Sequence, residues 1–563
     1  MFQDNLFREL VVDNFAGGGG ASTGMELALG YPVDIAVNHD ADAIAMHKVN
    51  HPYTRHFQED VFAIDPVQVT GGRAVGIAWF SPDCKHFSRA KGGKPVDKKI
   101  RGLSWVVLRW AMSSVAPRVI FMENVPEIKT WCPLIEIDGQ MRPDPAREGE
   151  TFNGFVSMLT GGIEKEHPAF SEACEFLKIE PDSEEGDRLA AGLGYAVAWK
   201  ELKACDYGAP TIRNRFYLIA RRDGQPIVFP EPTHGKGRKP YRTAAECIDW
   251  SLPCPSIFGR KKELAENTLR RIARGLDKFV LRNASPYIMC NNTNNVPHGV
   301  NEPLPTQTTG NRNYICAPSL VQYHSEQGKG EVRGQEANKP IMTIDGSPRY
   351  AMSACYLTKY FGGERQAGAS LSEPTPTVTA IDHSALAAAN LLHYYGGADH
   401  ASRVDSPLPT VTTLPRHYVV KTYLQKIDTA QDFGNWANVR EILNKYAGYS
   451  IATDEILIME IDGERYFISD IGMRMLKARE LMVAQGFPPD YIIDIESHIG
   501  KRYSEAKQIA RMGNAVCPPV AEALVRANCA EIASQRVIAT MAMLNAVIDE
   551  SCHRKRQYRR VAQ

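Results

Sequence analysis

The sequence predicts an α/β fold of the open-sheet, nucleotide-binding kind, interrupted by a long β-rich insert. Three observations carry this expectation. An apolar strand runs through a glycine turn into a helix near the N-terminus. Further apolar strands end in charged or reactive residues at Asp40, Cys84 and Glu123, where open α/β sheets place their sites. A short motif recurs every 33 to 36 residues between positions 302 and 413, as it does when one supersecondary unit is stacked several times. With 563 residues the chain exceeds one ordinary domain, so two or three are expected.

Composition narrows the class. A hydrophobic content of 44% with 23% charged residues describes a soluble globular protein. No apolar run approaches the ~20 residues of a membrane span, and the polar start "MFQDNLFREL" does not read as a signal peptide, so a cytoplasmic protein without a membrane partner is expected. The 12 cysteines are irregularly spaced and form no CxxC pair, which argues against a zinc site and for thiols kept reduced. Lys plus Arg equals Asp plus Glu at 65 each, so a polyanionic partner must be met by a local patch.

The first strand, Leu10 to Val12, leads into "DNFAGGGG" and a helix that starts near Ser22 or Thr23. Such a turn brings bare backbone N–H groups and a helix N-terminus up to a ligand. A tight strand-to-helix connection with no ligand is the plain alternative, and the continuation weighs against it. "VDIAVNHDADAIAMHKVNH" is a second strand ending in Asn38-His39-Asp40, followed by a helix, and "FQEDVF" brings Asp60 to the end of a third. Asp40 and Asp60 near a glycine turn suit a ribose and an adenine edge, so an adenosine-containing cofactor is expected.

"AVGIAWF" reads as a buried strand, and "SPD" ends it just before Cys84. Lys85, His86, Arg89, Lys91, Lys94, Lys98, Lys99 and Arg101 follow, with Asp97 the only carboxylate among them. A lone cysteine is usually an inert buried thiol. Positive neighbours favour the thiolate, which is the nucleophile. "PRVIFMENVPEI" then carries Glu123 to a strand end, and in "DYGAPTIRNRFYLIARR" Arg213 and Arg215 sit at period 2, on one face of a strand.

The order of these segments resembles the DNA cytosine-C5 methyltransferases. The matching pieces are "DNFAGGGG", "CKHFS", "ENV", "DYGAPTIRNRFYLIA", "RMLKARELMVAQGFPPDY" and "QIARMGNAVCPPVAEAL", which together cover residues 10 to 225 and 470 to 528. The resemblance implies a Rossmann-like domain that uses S-adenosylmethionine, with a large inserted, partly repetitive β-rich target-recognition domain. It implies Cys84 as nucleophile, Glu123 as the carboxylate on a flipped cytosine, and Arg213 and Arg215 as active-site arginines. Phe15, Ala16, Gly17, Gly19, His39, Asp40, Asp60 and Val61 would line the cofactor site, with Asn514, Ala515 and Val516 beside it and the C-terminal helix packed back on the first. Three positions depart from the family pattern. Asp83 precedes the nucleophile where proline is usual, His39 stands in place of the acidic ribose ligand, and Thr211 replaces a common glutamine. An aspartate beside Cys84 raises the thiol pKa unless Lys85 or Arg89 pairs with it.

The chemistry implied by the family explains these residue types. Cytosine C5 takes a methyl group only after addition at C6 has turned the ring into an enamine. No metal is required, and the base must leave the stack. Double-stranded DNA is the expected partner and a monomer the expected state, in a bacterial cell or, if the chain is virus-encoded, in its host. A tRNA cytosine methyltransferase and a catalytically inactive DNA-binding homologue are the competing readings.

The expected division is 1–225 and 466–530 for the catalytic domain, 226–465 for target recognition, and 531–563 for a terminal helix and basic tail. Within the insert, "EPLPTQTT", "NKPIMTID", "EPTPTVTA" and "SPLPTVTT" repeat. Their proline-rich entries and β-branched residues suggest strands, with loops such as "GGERQAG" and "GGADHASR" presented to base edges. The basic helix 259–276 is the alternative reader, with the repeats as scaffold. Residues 133–187 are expected to form a helical surface cap.

Overall fold

The computed structural model describes residues 8–83, 102–281 except 138 and 250, and 417–533 except 428–431, 462–463 and 497–499, with individual strands between 287 and 403. Cys84, the basic run that follows it, all four repeat motifs and the basic tail lie outside the described residues. The chain divides into two compact units, Met1–His234 with Gln485–Gln563, and Gly235–Ala484. These boundaries compare with 225/226 and 465/466 expected from the sequence.

The first unit is built on a seven-stranded sheet. Its strands are β1 (Leu10–Asn14), β2 (Ile35–Val37), β3 (Arg55–Phe57), β4 (Val75–Phe80), β5 (Val119–Asn124), β8 (Ala196–Lys203) and β9 (Asn214–Arg221), in the order β3-β2-β1-β4-β5-β9-β8. β6 (Leu134–Ile137) and β7 (Gln140–Pro143) form a separate hairpin. Strands β3 to β5 in that order run parallel, and β9 and β8 close the edge antiparallel. This mostly parallel, doubly wound sheet is Rossmann-like. The chain order reverses between β1 and β4, which places the crevice beyond their carboxyl ends.

β1, β4 and β5 are buried along their whole length and mostly apolar because both faces are covered. Val12, Phe80, Ile120 and Met122 pack on one side with Trp105, Val107 and Trp110, whereas Val11, Trp79 and Phe121 face the other with Met25, Val520 and Leu524. α1 (Gly20–Leu29) carries Met25, and helix Pro518–Asn528 carries Val520 and Leu524. Gly24 lets the two helices approach, since a Cβ there would lie 2.5 Å from Pro518 O and 2.6 Å from Ala521 Cβ.

Residues 133–187 correct the expectation of a surface cap. They begin with the β6–β7 hairpin, and helices Glu150–Leu159 and Pro168–Leu177 send Phe152, Phe155, Met158, Phe170 and Leu177 into the main core. The sequence shows helical period there, but only the tertiary fold shows that the apolar face meets Trp105 and Trp131.

In the second unit, strands Cys355–Lys359, Ser384–His393, His417–Lys426 and Glu464–Met475 pair antiparallel in that order. Helices Glu266–Leu276 and Trp436–Ala447 contribute to its core with Ile272, Leu276, Val439 and Leu443, against Phe467 and Ile471. Among the described residues no helix is long and apolar enough to cross a membrane.

Candidate active site

Three chain segments leave the sheet at the same carboxyl edge. From β1 the chain turns through Phe15 and Gly17, both left-handed at φ 63° and 53°, to Gly19 at φ 92°, which caps α1. The turn is fixed from inside: Ala16 N–H donates to Val37 O at 3.0 Å and Gly19 N–H to Ala16 O at 2.9 Å. Phenylalanine in the left-handed region costs on the order of 1–3 kcal/mol, and such strain concentrates where a side chain is aimed at a ligand.

The glycines of the turn serve two purposes. A Cβ on Gly17 would meet little beyond Phe15 O at 3.7 Å, so this position faces open space and its glycine serves the backbone angle. A Cβ on Gly20 would lie 2.2 Å from Val516 O, so this glycine serves close packing. Ala515 and Val516 are accordingly buried behind the turn, while Asn514 is exposed at the end of helix Glu505–Asn514. Gly20→Ala is expected to destabilise the fold by about 1–3 kcal/mol through overpacking, with the largest loss of protection at α1 and 515–518. Urea unfolding with amide exchange checks both.

Asp40 has a structural occupation that sequence reasoning missed. Its Oδ1 accepts the backbone N–H groups of Asp42 and Ala43, capping α2 (Ala41–Asn50), and its other oxygen pairs with Arg511. Arg511 in turn donates to Tyr503 Oη at 2.9 Å. His39 is exposed beside it. Asp60 is exposed and accepts from Phe62 N–H at 3.0 Å, whereas Val61 is buried in the core.

The second segment follows β4. Ser81 N–H donates to Asn14 O at 3.3 Å, Trp79 Nε1–H donates to Ser81 Oγ at 2.8 Å, and Asn124 Nδ2–H donates to Pro82 O at 3.3 Å. The chain is thereby tied to the ends of β1 and β5 as far as Pro82, two residues before Cys84.

The third segment holds a buried ionisable cluster. Glu123, at the end of β5, is 6% exposed and Arg213 3% exposed. Arg215 Nε lies 3.2 Å from Glu123 Oε1, close enough for an ion pair but poorly aligned for a hydrogen bond, and an Arg213 guanidinium nitrogen lies at 4.0 Å. Arg213 is anchored by donating to Gly513 O at 2.9 Å. Burial raises the Glu123 pKa above the usual carboxylate value, against the pull of Arg215 and Arg213. Burial favours the neutral acid, which can give a proton, and the two cations favour the carboxylate, which can take it back. Arg213 lies just before β9 and Arg215 is its second residue, and both approach Glu123 Oε1.

Beneath the glycine turn lies a second buried group, Asp13. It is fully buried, accepts from Ser22 Oγ at 2.7 Å, and burial pushes its pKa up to about 7. Because the folded value exceeds the unfolded one, this group weakens the fold as pH rises from about 4 to about 7, by roughly 4 kcal/mol at most. Asp13→Asn is expected to match wild type in stability near pH 4 and to exceed it above pH 7; melting temperatures across that range check this.

A family model described as C-5 cytosine-specific DNA methylase matches residues 10–131 and 403–529. The chain is similar to the type II methyltransferase M.AgeI of Thalassovita gelatinovora, with 25% identity over 233 residues, 40% of this chain and 43% of that protein. It is also similar to M.AquIA of Picosynechococcus sp., with 24% identity over 260 residues, 43% of this chain and 88% of that protein. The chain thus spans less than half the length of M.AgeI. The crystal structure of S. pombe Dnmt2 methyltransferase aligns at 12% identity with a TM-score of 0.39, over 92% of this chain and 98% of that one. The matched segments hold the glycine turn, Cys84, Glu123 and Asn514–Val516, and over them the chain is similar to the C-5 cytosine-specific DNA methylases.

Proposed function

We propose that this chain methylates C5 of cytosine within a specific sequence of duplex DNA, through a covalent bond between Cys84 and C6 of a flipped-out base. The observation that supports this best is the convergence at one sheet edge of the glycine turn, the chain entering Cys84, and the Glu123–Arg213–Arg215 cluster.

The open face of Gly17, the strained Phe15 and the N-terminus of α1 fit an adenosine-bearing sulfonium ligand. S-adenosylmethionine, when bound, would supply an electrophilic methyl carbon, its S–CH3 bond breaking so that the sulfur leaves as a neutral thioether. Phe15, Gly17, Asp60 and Val61 would hold its adenosine end, with Asn514 to Val516 behind the turn. His39 and Asp40 would face the ribose, and Asp40 is already shared by α2 and Arg511.

The cysteine thiolate adds at C6, forming a carbon–sulfur bond and driving the displaced electron pair toward N3. Protonated Glu123 gives its proton to N3 and accepts from the exocyclic amine, which also discriminates against thymine. Arg215 holds the cytosine O2, and Arg213, anchored on Gly513, keeps the glutamate in place. After C5 has gained the methyl group it loses its proton to solvent, the electron pair returns to the ring, and Cys84 leaves as thiolate while N3 returns its proton to Glu123.

Target recognition is assigned to the unit Gly235–Ala484, with loops of the repeat region reading base edges in the major groove and the basic run 85–101 clamping phosphates. The test is transfer from labelled S-adenosylmethionine to unmethylated genomic DNA, with tRNA run in parallel and nucleoside analysis of the products. The expected result is 5-methylcytosine in DNA at one mapped sequence. Product in tRNA alone would move the substrate to RNA, and binding of DNA without transfer would make the chain a reader.

A further inference from the structure

The cofactor turn is gripped from behind by side chains that no cofactor atom is expected to touch. Tyr491 Oη donates to Gly18 O, and Thr23 Oγ1 donates to Gly19 O at 2.7 Å, so two consecutive carbonyl oxygens are turned into the protein and away from the cleft. Behind both hydroxyls sits His51, buried at the end of α2, with Nε2 3.3 Å from Tyr491 Oη and 3.4 Å from Thr23 Oγ1. Its Nδ1 lies 3.0 Å from Glu26 Oε2 on α1, and Glu26 is itself fixed by the Val33 N–H at 3.1 Å. The chain Glu26–His51–Tyr491–Gly18 therefore links α1, α2, the segment after Gln485 and the turn.

This arrangement also accounts for Gly19. A Cβ there would lie 2.2 Å from Tyr491 Oη and 2.6 Å from His51 Nε2, so the clamp leaves no room for a side chain at that position. Tyr491 is buried, and its ring packs on Phe487 with centroids 4.7 Å apart. A hydroxyl this deep is worth keeping only where its bond does something that the phenyl ring alone would not.

We infer that Tyr491, oriented by His51, is a positioning residue for the cofactor: it holds the Gly17–Gly20 turn in the conformation that receives S-adenosylmethionine. The inference rests on the cofactor reading given above. Holding the Gly18 carbonyl inward keeps an oxygen lone pair from facing a ligand that carries a carboxylate, and spares the ligand the cost of ordering the turn.

The test uses the full-length protein and isothermal titration with S-adenosylmethionine. Tyr491→Phe removes the hydroxyl and keeps the ring. It is expected to weaken cofactor binding and raise the cofactor KM about ten-fold, the worth of one buried hydrogen bond, with kcat at saturating cofactor unchanged. His51→Phe, which keeps a ring in place and removes the support behind Tyr491, is expected to do the same, and the double variant to be no worse than the poorer single. If Tyr491→Phe fails to fold, His51→Phe decides alone. Wild-type binding with both variants binding equally well, or a fall in kcat at unchanged KM, would overturn the positioning role and leave the cofactor reading standing. A wild-type protein that does not bind S-adenosylmethionine would refute the cofactor reading, and this inference with it.

Discussion

Cys84→Ala is expected to abolish methyl transfer, with a loss on the order of 10⁴-fold or more, while leaving DNA binding and cofactor binding close to wild type. Removing a nucleophile erases the covalent route and leaves only binding and proximity to act. Cytosine offers no detour, because without addition at C6 its C5 carries too little electron density to accept a methyl group. The segment that delivers Cys84 is tied by Ser81 to β1 and by the Asn124 amide to Pro82 O, so the substitution acts on chemistry and not on the fold. Initial rates with labelled S-adenosylmethionine, beside a gel-shift titration of the same protein, measure the two quantities separately. The Asp83 neighbour bears on the rate of the wild type: Asp83→Pro or Asp83→Asn is the natural companion, and a faster first turnover would show that the aspartate slows attack.

Glu123→Gln is expected to lower kcat by about 10²- to 10⁴-fold, the usual share of a positioned acid. The sign of its pH dependence follows from the site. Burial raises the Glu123 pKa, so the protonated acid persists into a range where an ordinary carboxyl has ionised. As pH rises through that raised pKa the acid form is lost, and the acid-dependent step slows. Cys84 works in the opposite direction, since its thiolate fraction grows with pH. The wild-type profile is therefore bell-shaped, and the variant keeps the ascending limb due to the thiol while losing the descending limb due to the acid. Arg215→Ala should also weaken cytosine binding and raise the Glu123 pKa further, because a cation 3.2 Å from Oε1 has been removed. A profile for Glu123→Gln that retains the wild-type descending limb would assign that limb to another group.

Much of the catalytic fold is legible in the sequence because its signals are local. Strands covered on both faces, such as "VGIAWF" and "VIFMEN", read as short apolar runs, and the glycine turn marks the first crossover. The edge residues that follow those strands are legible for the same reason, since a charged group after an apolar run has to emerge at the sheet edge. Other features depend on residues far apart in the chain. Asp40 reads as a ribose ligand, and only the fold brings Arg511, 471 residues later, to share its carboxylate. Tyr491 and His51 carry no signature that distinguishes them from core residues, because their roles come from Tyr491 meeting His51 across 440 residues and Gly18 across 473. The helices of 150–177 show an apolar face, but whether that face meets solvent, a partner or Trp105 and Trp131 is decided by packing. Asp13 reads as the first residue of the glycine-turn segment, and its raised pKa follows from complete burial, against the pull of the Ser22 hydroxyl.

The central claim, that Cys84 bonds to C6 of a cytosine aligned by Glu123, is tested most directly by trapping. Duplex DNA carrying 5-fluorocytosine at the mapped target site keeps a fluorine where the departing proton should be, so the final elimination cannot occur. Incubation with S-adenosylmethionine should yield a denaturation-resistant protein–DNA adduct, whose peptide mass places the methylated fluorocytosine on Cys84. Methylation of ordinary DNA at that site with no adduct to the fluorinated duplex, or an adduct mapped to a different residue, would contradict the assignment.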